Sequence, residues 1–220
     1  MYIPEINTYF IHIPKCGGTS VEMFFFRNVC GFPNMADNGK MFEQLGREVG
    51  AKYHFGQKTP EPLPTGETQH LSAWQLKEWN DPSFCNSNYT FAFVRNPWHR
   101  FVSETIWKQQ HLGMRTHNLE AQIRMQSMES TYQMKLNRPH NAPQYKFVYD
   151  QHFNLLVDDV FKLEEKDKAE KVISEKLNMK VEFGHHNKSK RKDYDDYLTP
   201  KIKKDLYPYI HKDLELFGYE

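Results

Sequence analysis

No stretch of this sequence approaches the roughly 18 consecutive apolar residues of a membrane-spanning helix. The start, MYIPEINTYFIHIPK, has neither a basic leader nor an extended apolar core, so no signal peptide is expected. Cysteine is scarce. Cys16, Cys30 and Cys85 are odd in number, widely spaced and outside any C-x-x-C pattern, which argues against a disulfide framework and against zinc-ribbon spacing. A reducing cytoplasm is the expected compartment, where the N-x-[ST] matches at Asn88 and Asn187 carry no meaning. Net charge is also small: 29 Lys and Arg against 28 Asp and Glu leave +1, too little for a domain that binds nucleic acid through its bulk charge. Any anion site must therefore be local. H-E-x-x-H is absent and the pair His185–His186 has no third spaced ligand, so no catalytic metal is expected.

What remains is a chain of 220 residues with 15% aromatics and no internal repeat, enough for one domain over 1–220 with a sizeable core. Thr8 to Ile13 and Tyr89 to Val94 are apolar on both faces apart from His12, as strands covered on both sides of a parallel sheet are. Each is followed by a helical pattern, at Gly18 to Asn28 and from Pro97 onward. Ser72 is placed to cap a helix over Leu71 to Trp79, and Thr199 with Pro200 to open the last one. Further helices are predicted at 42–49, 119–136 and Lys166 to Leu177. PQYKFVYD and NLLVDDVFKLEE read as short, paired strands, and Pro208 should kink or split the final helix. Alternation of strands and helices predicts a three-layer α/β fold, a central mainly parallel sheet flanked by helices.

The segment PKCGGTS, residues 14 to 20, joins the first strand to the first helix. Such a corner points free helix N–H groups past the carboxyl end of the strand, where the helix dipole favours an anion. Lys15 adds a positive charge, Gly17 and Gly18 allow close backbone approach, and Thr19 and Ser20 add hydroxyl donors. A Walker A loop would place lysine after the glycines, as GK[ST], and that tripeptide occurs nowhere, so an ATP or GTP kinase is disfavoured. A cysteine phosphatase built on Cys16 would want an arginine where Glu22 stands.

PKCGGTS closely resembles the 5′-phosphosulfate loop of the sulfotransferases, and YTFAFVRNPWHRFVSE resembles their 3′-phosphate motif. The segment HNAPQ and the tail NKSKRKDYDDYLTPKIKKDL are similar to the bacterial and carbohydrate-type members of that family, so the resemblance spans nearly the whole chain. It implies a P-loop-like fold and the donor 3′-phosphoadenosine 5′-phosphosulfate (PAPS), leaving adenosine 3′,5′-bisphosphate (PAP) as product, without a metal. It implies that Lys15, Cys16, Gly17, Gly18, Thr19 and Ser20 hold the 5′-phosphosulfate, Cys16 through its backbone N–H. Arg95 and Ser103 would hold the 3′-phosphate, and Ser189, Lys190 and Arg191 in the basic loop 187–192 would close over the nucleotide. Lys15 would also assist catalysis.

The acceptor implied is a hydroxyl of a carbohydrate or glycolipid, lined by the excursions 31–69 and 112–140, where Phe42, Tyr53, Phe55 and Tyr132 could stack on sugar or belong to the core. A general base should take its proton. His70 is the first choice, with His54 second and Glu22 third, and His12 is read as structural. The Cys16 thiol is expected to make the enzyme sensitive to alkylation. A nucleotide kinase and a non-catalytic nucleotide- or sugar-binding module remain as alternative functions.

Overall fold

The computed structural model describes residues 1–35, 45, 52–55, 68–111, 118–123, 139–184 and 193–220. Four strands form one mixed sheet in spatial order: β1 (Tyr2–Ile3), β2 (Thr8–Ile11), β3 (Tyr89–Val94) and β4 (Asp159–Lys162). β1 folds back antiparallel on β2, Tyr2 facing Tyr9. β2 and β3 run parallel with Ile11 opposite Ala92, and β3 and β4 run parallel with Phe93 opposite Phe161. Every residue of β2 and β3 is buried, which is why both read as unbroken apolar runs rather than as alternating ones. The mainly parallel, helix-flanked sheet expected from the sequence is the architecture found.

Helices among the described residues are α1 (Gly18–Asn28), α2 (Ala73–Glu78), α3 (Pro82–Cys85), α4 (Pro97–His111), α5 (Tyr145–Val148), α6 (Lys166–Leu177) and α7 (Pro200–Phe217), with a helical turn at 119–123. Local chemistry sets several of their ends. Ser72 and Gln75 form a reciprocal capping box on α2, and the Thr199 hydroxyl caps α7 at the Ile202 N–H with Pro200 at the first position. The core gathers around the sheet, where Phe25 of α1 meets Phe91 of β3 and Phe93 meets Phe183. Phe91 is fully buried, and its loss would cost about 3–5 kcal/mol. On the outer side, Phe101 of α4 packs with Leu206, Ile210 and Leu214 of α7.

Two expectations change and one open alternative closes. Residues 145–148 form a helix rather than a strand, and the predicted pairing shrinks to one antiparallel bridge between Tyr149 and Leu155. α7 runs through Pro208 without a break. Pro208 and Lys204 both lie on the exposed face, so the Lys204 carbonyl that loses its donor can meet water, while Ile202, Leu206, Ile210 and Leu214 hold the opposite face down. Tyr53 and Phe55 pack against Phe26 in the core, which leaves them no sugar to stack on. Most of the helix predicted at 42–49, of the excursions 31–69 and 112–140 and of the helix at 119–136, the residues Phe42 and Tyr132, and the loop 187–192 fall outside the described residues.

Candidate active site

Because β2 and β3 are parallel neighbours, the corners that follow them open side by side at the same sheet edge. The first corner turns through two left-handed residues, Lys15 (φ 67°) and Gly17 (φ 82°). Cys16 N–H closes the turn on the Ile13 carbonyl at 3.3 Å, while the amides of Gly17, Gly18 and Thr19 make no backbone hydrogen bond among the described residues. These free donors at the start of α1 suit an anion. Thr19 and Ser20 are half-buried at that start. The two glycines serve different ends. Gly17 supplies the positive φ, whereas a Cβ on Gly18 would overlap the His12 ring.

Lys15 is half-buried, its Nζ 5.2 Å from the centroid of the Trp107 ring of α4. Burial lowers its ammonium to about 8; Glu104 resists that fall and Arg95 adds to it. From the second corner, Arg95 Nη1 donates to the Lys15 carbonyl at 3.3 Å, and its guanidinium lies 4.4 Å from the Tyr194 ring centroid. Burial lowers the Arg95 pKa as well, yet a guanidinium keeps its charge throughout the ordinary pH range. Ser103 lies two turns into α4, half-buried, its hydroxyl without a hydrogen bond among the described residues. Ser189, Lys190 and Arg191 lie outside the described residues, but Tyr194, just beyond them, covers Arg95.

One buried side chain joins the two corners. Gln144 Oε1 accepts from the Arg95 N–H (2.8 Å) and from Cys16 Sγ (3.1 Å), and its Nε2 donates to the Arg95 carbonyl (2.9 Å). The amide thus substitutes for a strand neighbour where β3 ends. Asp213 of α7 holds it in turn, accepting from the backbone N–H groups of Gln144 (2.9 Å) and Tyr145 (2.8 Å). Arg100 adds a second tie: its guanidinium donates to the carbonyls of Pro14, Ala142 and His140. The Cys16 thiol is therefore sealed in, 1% exposed and pushed by burial up to about 12, and the expected sensitivity to alkylation does not fit this position.

Beside Lys15 lies a row of histidines. His12 Nδ1 meets Glu22 Oε1 at 2.7 Å, and Gln69 Nε2 donates to the same carboxyl. Burial pushes Glu22 up to about 8, so near neutral pH it is largely a protonated acid and a poor base. His70 Nδ1 donates to the His12 carbonyl at 3.0 Å, and its ring meets His12 and His140 edge-on at 4.6 and 5.1 Å. Burial depresses the pKa of His70 and of His12 well below the usual histidine value. His54 lies elsewhere, in a cluster with Tyr2 and Tyr9, its Nδ1 3.0 Å from the Tyr9 hydroxyl.

Sequence reasoning missed Glu104, Lys108, Gln144, Asp213 and Tyr194. Glu104 and Lys108 stand four apart on α4, a spacing that usually marks an exposed ion pair, yet they are 2% and 5% exposed. HNAPQ was the one signal near Gln144. Among the described residues no group of three or more His, Cys, Asp or Glu is placed to hold a metal ion, and no helix is long and apolar enough to cross a membrane. A family model described as the sulfotransferase family matches residues 1–220. No curated protein and no solved structure matches the chain.

Proposed function

The chain belongs to the sulfotransferase family, and from that premise we propose that it transfers the sulfuryl group of PAPS to a hydroxyl of a carbohydrate or glycolipid. The observation that carries this reading is the meeting of two cations from two strand–helix corners, with Arg95 donating to the Lys15 carbonyl. A donor with an anion at each end of one nucleotide needs such a pair. The free amides of Gly17, Gly18 and Thr19 and the hydroxyls of Thr19 and Ser20 would bind the 5′-phosphosulfate. Arg95 and Ser103 would bind the 3′-phosphate, Arg95 as a charge-assisted fork, with Ser189, Lys190 and Arg191 supplying further contacts. Three unpaired cysteines suit a reducing compartment, and the cytoplasm is the one proposed.

Sulfuryl transfer, like phosphoryl transfer, asks for positioning and charge stabilisation more than for covalent work by the protein. PAPS supplies a sulfuryl group already activated by its link to phosphate. The acceptor hydroxyl attacks sulfur in line, and Lys15 neutralises the charge that grows on the oxygen bridging sulfur and phosphorus. No metal is assigned a part. The proton of the hydroxyl leaves to a histidine of the row beside Lys15, which contains His70 and leaves out His54.

A thermal-shift panel with PAP, ATP plus magnesium, and AMP tests the proposal. At 100 times Kd a ligand stabilises by about 2.7 kcal/mol. PAP should do so without metal. Stabilisation by ATP with magnesium and none by PAP would point to a kinase instead, while PAP binding with no transfer to any hydroxyl would point to a binding module.

A further inference from the structure

Resting on the sulfuryl-transfer reading, we propose that His140 is the general base for the acceptor hydroxyl and that Glu104 is the positioning residue that holds its ring. A base must end the step as a cation, so the useful question is which histidine has a carboxylate waiting for it. Glu104 Oε2 lies 3.0 Å from His140 Nδ1. Its other oxygen makes no hydrogen bond among the described residues and faces Lys108 Nζ at 3.5 Å. Burial raises this carboxyl, but His140, Lys108 and Lys15 outweigh burial and hold it below the usual carboxylate range. An ionised Glu104 keeps the ring proton on Nδ1 and leaves Nε2 as the bare, basic nitrogen.

The ring is also in the right place. It stacks on Trp107 with centroids 5.0 Å apart and planes 22° apart, and Trp107 in turn carries Lys15 Nζ near its ring. The backbone carbonyl of His140 is tied to Arg100, and its side chain is 26% exposed, open enough to meet an acceptor. His70, by contrast, is 8% exposed and spends Nδ1 on a backbone carbonyl. A proton on His70 would sit against His12 and His140, with no carboxylate bonded to its ring among the described residues. In the proposed step the acceptor O–H proton passes to His140 Nε2 and the oxygen forms the new S–O bond. The old S–O bond breaks with its electron pair going to the phosphate of PAP, beside Lys15.

The test uses the full chain, its His140→Gln and Glu104→Gln variants, radiolabelled PAPS with a panel of sugar and glycolipid acceptors and with water alone, and two-bond ¹H–¹⁵N spectra of the histidine rings. His140→Gln should lower the transfer rate by about 10²–10⁴-fold while the thermal shift with PAP stays at the wild-type value. The wild-type spectrum should show His140 protonated on Nδ1 and bare at Nε2, and Glu104→Gln should weaken that preference. Transfer by His140→Gln within twofold of wild type would overturn the proposal, and so would a wild-type ring carrying its proton on Nε2. Failure of PAP to stabilise the wild type would instead remove the donor reading, and the ring spectrum would still decide whether Glu104 sets the tautomer.

Discussion

Raising the pH above 8 should loosen the grip on the donor through one residue, Lys15. Burial brings its ammonium down to about 8 from an ordinary value of 10.5. If only the charged lysine binds the 5′-phosphate, the apparent Kd is the intrinsic one divided by the protonated fraction. That fraction falls to about a tenth at pH 9 and about a hundredth at pH 10, so the affinity for PAP should drop nearly tenfold per pH unit over that range. The phosphates of PAP are already fully ionised there, since their second pKa lies near 6. Stability should move the other way. The unfolded chain holds more protons than the folded one between pH 8 and 10.5, so the Lys15 contribution to folding rises with pH in that window. Isothermal titration calorimetry from pH 7 to 10 measures the slope, and repetition in buffers of different ionisation enthalpy counts the proton taken up near pH 8. Lys15→Arg, whose charge persists at all these pH values, should bind with a flat profile. A constant Kd for the wild type between pH 7 and 9.5, or an equal slope in Lys15→Arg, would refute the reasoning.

Glu22→Gln should match the wild type in stability near pH 5 and exceed it by about 3 kcal/mol at pH 7, because a carboxyl raised to about 8 loses about 1.4 kcal/mol per pH unit above its ordinary value; an equal difference at both pH values in urea titrations would count against it. Gly18→Ala should lower Tm despite the better helix propensity of alanine, since the new methyl group would overlap the His12 ring at an overpacking cost of about 1–3 kcal/mol; a higher Tm would show that the ring can move aside freely. Iodoacetamide followed by peptide mapping should label the exposed Cys85 and spare Cys16, and rapid labelling of Cys16 would contradict its burial. Gln144→Ala should destabilise the fold by about 2–4 kcal/mol through the Arg95 backbone groups left unpaired and weaken PAP binding at least tenfold; unchanged PAP affinity would detach Gln144 from the site.

Much of the fold was legible because its signals are local. A strand buried on both faces has to be apolar throughout, as β2 and β3 are, and Ser72, Pro97, Thr199 and Pro200 mark helix starts through their own hydrogen-bonding and φ preferences. Failures came where tertiary packing overrode the local rule. The β-favouring run around Tyr145 became helical, with Phe147 and Val148 buried and Asp213 accepting from the Gln144 and Tyr145 amides at its start. Pro208 was expected to kink or split the last helix, and α7 continues through it because it sits on the face where a missing hydrogen bond matters least.

The site divides along the same line. Lys15, the glycines and Arg95 stand out because a charge or a missing side chain at a strand–helix corner has few other uses. Gln144, Asp213 and Glu104 do not stand out, because an isolated polar residue in a sequence says nothing about how deeply it is buried. In the structure Gln144 and Asp213 supply what the corners cannot make for themselves. Each corner ends a buried strand with backbone groups that need partners, and Gln144 satisfies those of Arg95 with one amide. The backbone N–H of Gln144, and at 3.4 Å its Nε2, donate to a carboxylate 69 residues further along, on α7. Burial raises the Asp213 carboxyl, and the backbone N–H groups of Gln144 and Tyr145 work against that rise. On the proposed reading the C-terminal helix is thereby part of the donor site, although none of its side chains need touch the nucleotide. A truncation that removed α7 should then abolish PAP binding even where the sheet survives, because the two cations would no longer be held at one place.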